Sequence, residues 1–249
     1  MTEILTSPNY PRAPITEAVI QFRVSADVES RLQDKVVQKL KKNFPHSQPM
    51  HEFQIMLNPT GNQVSVSQNT QGFRLANDDQ TEVVMVGARG ITAARLAPYP
   101  GWQALRRVAE LGWAAWKSST PGNTVETLGV RFINRIDIPN EGNAPVILET
   151  YLNFHPSVTT VAQAPLLGFT LQVVVPTFNP LWIATITSAL AVPPPILNCA
   201  SIFLDINIVR TQDILLNDDL LWPIVDEARA IKNDLFERCV TPATRKLFE

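Results

Sequence analysis

Hydrophobic and polar residues alternate from Leu128 to Ile138, L-G-V-R-F-I-N-R-I-D-I, at the two-residue period of a strand. Val130, Phe132, Ile136 and Ile138 fall on one side with Asn134 among them, and Arg131, Ile133, Arg135 and Asp137 fall on the other. An apolar side opposite a charged side is what an antiparallel sheet covered by helices on one face requires. Asn134 is the exception. An amide on the apolar side is costly unless hydrogen-bonded, so it is expected to tie down a neighbouring loop, and it joins the candidate site residues.

The same alternation opens the chain. After a proline-rich lead-in with Pro8, Pro11 and Pro14, Glu17 to Val24 places Ala18, Ile20, Phe22 and Val24 inward and Glu17, Val19, Gln21 and Arg23 outward. Ser25 and Asp27 offer N-caps for a helix to about Phe44, with Val28, Leu32, Val36 and Leu40 as its stripe and Pro45 as its stop. Strands are predicted over His51 to Leu57, Gln63 to Gln68 and Gly72 to Ala76, with a turn at Asn58 to Asn62. Thr81 to Val86 and Gly90 to Leu96 read as one long strand bent near Gly87 and Gly90. A helix then carries Trp102, Leu105, Ala109, Gly112, Trp113 and Trp116 on one side, the spacing of a core face.

The opening strand at Leu128 starts a second half. A short helical piece is predicted near Val146 to Phe154. Strands follow over Gly168 to Val175, Leu181 to Leu190 and Ser201 to Arg210, the last alternating Ile202, Leu204, Ile206 and Ile208 against Phe203, Asp205 and Asn207. A final helix runs from about Asp219 to Cys239 with Leu221, Val225, Ala228, Ile231 and Leu235 as its stripe, and Pro223 is placed in its first turn.

The predicted class is α+β. The order of elements reads as tandem β-α-β(3–4)-α units, residues 1–125 and 126–249, forming one antiparallel sheet with long helices on one face. That order is similar to the TATA-box-binding protein fold, a likeness of architecture that leaves function open.

Composition narrows the classes. The chain has 249 residues, 45% of them hydrophobic, and a net charge of −2, so nothing draws it as a whole toward nucleic acid or an anionic membrane. Residues 1–125 carry 13 basic and 10 acidic side chains and residues 126–249 carry 8 and 13. Cys199 and Cys239 make no disulfide framework or CxxC motif. The first residues lack the pattern of a signal peptide, and the most apolar stretch, Phe169 to Leu197, is broken by five prolines. A cytoplasmic protein without a membrane span is expected.

Four phrases in order, P-I-T-E-A-V-I-Q-F-R (Pro14 to Arg23), R-L-A-P-Y-P-G-W (Arg95 to Trp102), G-V-R-F-I-N-R-I (Gly129 to Ile136) and L-D-I-N (Leu204 to Asn207), span nearly the whole chain. Together they resemble a sporadically distributed family of bacterial proteins of about this length with no assigned function. The family more often has tyrosine where Phe132 stands and aspartate where Asn207 stands, so a role needing a hydroxyl or carboxylate there is not carried over. Its patchy distribution implies mobile or defence-type gene neighbourhoods.

Chemistry is sparse. His46, His51 and His155 sit in or beside proline-flanked loops, outside any nucleophile motif. No pair of potential metal ligands has ligand spacing on a shared element, and no phosphate-binding loop is present. No cofactor, metal or catalytic residue is assigned. Asp137 and Asp205 could form a carboxylate pair, but Arg131 and Arg135 alternate onto the same side and make ion pairing the simpler expectation.

What remains is the polar sheet face, with Gln21, Arg23, Arg131, Arg135, Asp137, Thr170, Gln172, Thr185, Thr187, Asp205 and Asn207, and the corner Arg95, Tyr99 and Trp102. Three functions follow. A non-enzymatic binding or regulatory module for a protein partner, or a homodimer, ranks first, possible within a defence or toxin-neutralising gene set. The run A-V-P-P-P-I-L (Ala191 to Leu197) is expected to be its apolar docking loop or a dimer contact. A small-anion binder would use Arg23, Arg131 and Arg135 as clamps. A nucleic-acid binder is disfavoured by the near-neutral charge and the few rings on the polar face.

Overall fold

The computed structural model describes residues 10–57, 64–122, 124–140, 146–157, 166, 168–190, 196–214 and 218–249. Through these the chain runs β1 (Ile15–Val24), α1 (Ser30–Leu40), β2 (His46–Leu57), β3 (Val64–Ala76), β4 (Glu82–Gly87), β5 (Gly90–Leu96), α2 (Trp102–Ser119) and β6 (Val125–Pro139). It continues with α3 (Leu148–Tyr151), β7 (Thr170–Pro176), β8 (Trp182–Leu190), β9 (Cys199–Arg210), α4 (Asp218–Cys239) and α5 (Pro242–Lys246). The strands form one nine-stranded antiparallel sheet in the order β2-β3-β4-β5-β1-β6-β9-β8-β7. The α+β class is therefore what the chain adopts. Two compact units divide it: Ile20–Leu96 with Pro100–Glu126, and Met1–Val19 with Ala97–Tyr99 and Thr127–Glu249.

In the unit containing Ile20–Leu96, the expected bent strand is two strands. β4 and β5 pair antiparallel from Glu82↔Arg95 to Gly87↔Gly90, turning through Ala88 and Arg89. Gly90 makes this possible. Its φ is +140°, and a Cβ there would lie 2.0 Å from the Phe22 carbonyl oxygen, so the glycine lets β5 lie against β1. Helix α1 starts at Ser30, later than the Ser25 or Asp27 caps imply. The backbone before it is committed elsewhere: Val24 N donates to Arg89 O, Ser25 N to Thr124 O and Val28 N to Ala88 O. The Val28 N–H is thus taken and the Ser25 hydroxyl is bonded to Thr124 Oγ1 at 3.0 Å, so Ser25 does not cap a helix. Strand β3 is continuous where two strands were expected, because its pairing with β2 runs from His46↔Ala76 to Leu57↔Val64 with one register shift at Met50/His51. The β2–β3 turn expected at Asn58 to Asn62 lies outside the described residues.

Helix α2 covers the apolar side of this hairpin as its tryptophan spacing predicts. A Cβ on Gly112 would meet Ile91 at 3.3 Å and Val84 at 3.5 Å, so the missing side chain sets the close approach of helix to strands. Trp113 stacks on Phe22 with centroids 4.8 Å apart. Phe44, just past α1, is fully buried.

In the unit containing Thr127–Glu249, β6, β9, β8 and β7 stand side by side, and cross-strand neighbours share a face. Val130 pairs with Ile208 and Ile208 with Ala184, while Phe132 pairs with Ile206 and Ile206 with Ile186. All six are buried. Helix α4 lies against β9 and buries Leu221, Val225, Ala228 and Ile231. Pro223 lies inside this helix rather than in its first turn, since the helix begins at Asp218. Proline has no N–H to give to the carbonyl four residues earlier, and that position, Asp219, lies at the exposed start of the helix. A further helix follows that the hydrophobic pattern does not predict: Thr241 caps α5, its Oγ1 accepting from Thr244 N, and Pro242 occupies the first turn. The lead-in residues close over it, with Arg12 N donating to Phe248 O and Tyr10 edge-on to Phe248.

Candidate functional site

The outer face of β6, β9, β8 and β7 gathers the predicted polar residues of this unit. Arg131, Asn207, Thr185 and Val174 form one cross-strand row, and Ile133, Asp205, Thr187 and Gln172 the next. Arg131 reaches diagonally to Asp205. Its Nε donates to Oδ1 and Oδ2 at 2.9 and 3.0 Å, and its Nη2 donates to Oδ2 at 2.6 Å. That bond to Asp205 is the main cause of a raised guanidinium pKa. The guanidinium side chain is 46% exposed against 10% for its carboxylate partner. The covered partner therefore holds the more exposed one.

Two rows along, Arg135 Nε donates to Asp137 Oδ1 at 2.9 Å and its Nη2 to Ser201 Oγ at 2.8 Å, while Ser201 Oγ donates to Asp137 Oδ1 at 2.5 Å. Asp137 and Asp205 are thus partners of arginines. Gln172 Nε2 donates to Thr187 Oγ1 at 3.0 Å, extending the polar network to the sheet edge. The face is not wholly polar: Val174 is 65% exposed and Ile183 53%.

Asn134 lies on the other face, 1% exposed. Its Nδ2 donates to Leu204 O at 2.9 Å. The partner is the adjacent strand β9, not a loop: pairing puts Asn134 opposite Leu204, within reach of that carbonyl, so the amide is satisfied inside the sheet. In the same row Ser188 is buried.

The remaining predicted residues fall in both units. Arg23 is exposed on β1, and its neighbour on that face, Gln21, bonds Thr92 Oγ1 at 3.3 Å. Arg95 Nη1 donates to Thr81 Oγ1 at 2.9 Å and pairs with Glu82 at 3.0 Å, and Glu82 also pairs with Arg107. Trp102 starts α2 and is buried. Tyr99 belongs to the other unit, edge-on to Phe132 at 5.9 Å, and burial is the main cause of its raised pKa. Within the docking run only Ile196 and Leu197 are described, both exposed.

One residue that sequence reasoning passed over stands out beside Phe132. Lys232 is 7% exposed, with Nζ 4.1 Å from the Phe132 ring centroid and 5.9 Å from that of Phe236. Burial, with Arg229 nearby adding to it, lowers its pKa to about 7, against an opposing pull from Glu237. The ring contact favours the ammonium by roughly 1–2 kcal/mol, less than the several kcal/mol that desolvation removes. Desolvation wins. Glu237 is itself engaged: Tyr10 Oη donates to its Oε1 at 3.0 Å and Arg245 Nε to its Oε2 at 2.7 Å. Burial and this carboxylate push the Tyr10 phenol up to about 12. The sequence did carry the signal, because Leu221, Val225, Ala228, Lys232 and Phe236 follow the 4-3-4-4 spacing of one helical stripe.

Among the described residues, no three His, Cys, Asp or Glu side chains gather as a metal site would need, and no helix is long and apolar enough to cross a membrane. Compared with known proteins, the chain matches no family model and no curated protein.

Proposed function

We propose that this chain is a non-enzymatic binding or regulatory module, and that the outer face of β6, β9, β8 and β7 receives a protein partner. One observation carries the reading: both arginines of that face are neutralised by carboxylates of the same face, Arg131 by Asp205 and Arg135 by Asp137. A clamp for a phosphate or carboxylate ligand needs guanidinium charge left over for the ligand, and a single-strand nucleic-acid surface needs net positive charge with rings. A face with braced ion pairs on β6 and β9 beside exposed Val174 and Ile183 on β7 and β8 instead has the mixed polar and apolar character of a protein interface.

In the same reading the element order is a tandem of β-α-β(3–4)-α units, and within each unit the long helix takes the apolar side of its strands. The cytoplasm is the compartment we assign, in keeping with the free thiols of Cys199 and Cys239, and a defence or toxin-neutralising gene set is the setting that the family resemblance favours.

The test is quantitative affinity capture from extract of the native host, comparing wild type with Ile183→Asp and Arg131→Glu. A protein retained by wild type, lost from both variants and rebound by purified wild-type chain is the expected result. If both variants retain every protein that wild type retains, this face is not the docking surface. A low-salt shift of oligonucleotide that disappears in Arg131→Glu would favour the nucleic-acid reading instead.

A further inference from the structure

The nine-stranded sheet ends at β2 on one side and β7 on the other, and the two edges are built differently. A bare edge strand displays a row of unused N–H and C=O groups that will pair with another strand unless something discourages it. Strand β2, H-S-Q-P-M-H-E-F-Q-I-M-L, carries Pro49, the acidic Glu52 and a register shift at Met50/His51. These are the usual deterrents: a missing donor, a charge and a bulge.

Strand β7, T-L-Q-V-V-V-P, has no charged residue, and its register with β8 is unbroken from Thr170↔Ala189 to Pro176↔Ile183. Its single proline stands at the last position. Leu190 N donates to Phe169 O, and antiparallel bonding alternates residue by residue. The polar backbone groups of Leu171, Val173 and Val175 therefore face β8, and those of Thr170, Gln172 and Val174 face away from it. Among the described residues no strand takes up that outward row.

The side chains point the same way. Leu171, Val173 and Val175 lie on the core side, yet all three are only half-buried, whereas their neighbours one strand further in, Ile186 and Ala184, are buried. Among the described residues the apolar layer thins at this edge.

We infer that β7 pairs antiparallel with β7 of a second copy of this chain, around a two-fold axis at Val173. The strand is complementary to itself in that register. Val173 meets its own counterpart, Leu171 meets Val175, and Gln172 meets Val174, so apolar residues meet on the core side and no like charges are opposed. Gln172 and Val174 exchange backbone bonds through their outward groups, and Pro176 falls opposite Thr170 on the final rung, where it need supply only a carbonyl. Such an isologous contact closes on itself as a dimer. It uses the backbone edge of β7, and it shares with the docking surface proposed above only the side chains of Gln172 and Val174.

Two variants of the full chain in a Cys199→Ser background test it. Val174→Pro deletes an outward N–H while leaving every bond to β8 in place. Val173→Cys puts two thiols across the axis, where non-hydrogen-bonded partners have Cα atoms about 4.5 Å apart, within disulfide reach. The expected results are a sedimenting species of twice 27.7 kDa for the parent, its loss in Val174→Pro with the thermal transition unchanged, and a covalent dimer of Val173→Cys on mild oxidation. Leu171→Cys and Val175→Cys should cross-link when mixed. A parent that stays monomeric at high micromolar concentration overturns the inference. So does a dimer that Val174→Pro leaves intact and Val173→Cys fails to cross-link, which would place the contact elsewhere.

Discussion

Strand β6 has two faces that treat positive charge in opposite ways. On the outer face Arg131, partly in water, and the mostly covered Arg135 lean on Asp205 and Asp137. On the inner face Lys232 is drawn from water and set against the rings of Phe132 and Phe236. A guanidinium braced by a carboxylate keeps its charge, because the attraction and hydrogen bonds of the pair offset the desolvation of both groups. An ammonium desolvated without such a brace destabilises the fold and favours its neutral form. The outer face therefore carries compensated charge, and the inner face carries charge at a cost in stability.

The largest way to break this contrast is to remove Glu237, the buried carboxylate that pulls the Lys232 pKa upward. Glu237→Ala strips Tyr10 and Arg245 of their partner and should lower unfolding stability by roughly 3–5 kcal/mol, measured by urea denaturation. Lys232→Met should act in the opposite direction, raising stability at neutral pH by roughly 1–4 kcal/mol. Its pH dependence fixes the cause. The folded-state pKa of about 7 lies below the ordinary 10.5, so between those values the unfolded chain binds more protons and wild-type stability rises with pH. The advantage of Lys232→Met should be greatest below pH 7 and fade toward pH 10.5; an advantage constant with pH would assign it to packing.

Asn134→Ala removes the bond to Leu204 O and leaves a small void, a loss of about 1–3 kcal/mol. Arg131→Ala leaves the buried Asp205 carboxylate without its guanidinium and should cost a comparable amount, about 1–3 kcal/mol. Gln172→Ala, which removes only an exposed bond to Thr187 Oγ1, is the smallest change, less than about 1 kcal/mol. If Gln172→Ala cost more than Asn134→Ala, the two faces would not differ as described.

Much of this was legible in the sequence. The two-residue alternation located β1, β6 and β9 and sorted their side chains, because one face of each is buried and the register follows from that. The tryptophan spacing gave α2. The β4–β5 hairpin was missed because G-A-R-G reads equally as a bend or a two-residue turn, and only the approach of Gly90 to Phe22 decides between them. The start of α1 depended on backbone bonds to Arg89, Ala88 and Thr124, which local capping residues do not reveal. Pairing of Arg131 with Asp205 was foreseeable from alternation; the diagonal offset required the register of β6 with β9. Lys232 was overlooked although it stands on the α4 stripe, because Ile231 beside it satisfies an apolar pattern nearly as well.

The central claim is that the outer face binds while the inner face only folds. The direct measurement is calorimetric titration of a reconstituted partner against wild type, Arg131→Glu and Lys232→Met, each first shown to be folded. Loss of binding at least tenfold in Arg131→Glu with unchanged affinity in Lys232→Met is the predicted result. Unchanged affinity in Arg131→Glu, with binding lost in Lys232→Met, would contradict it.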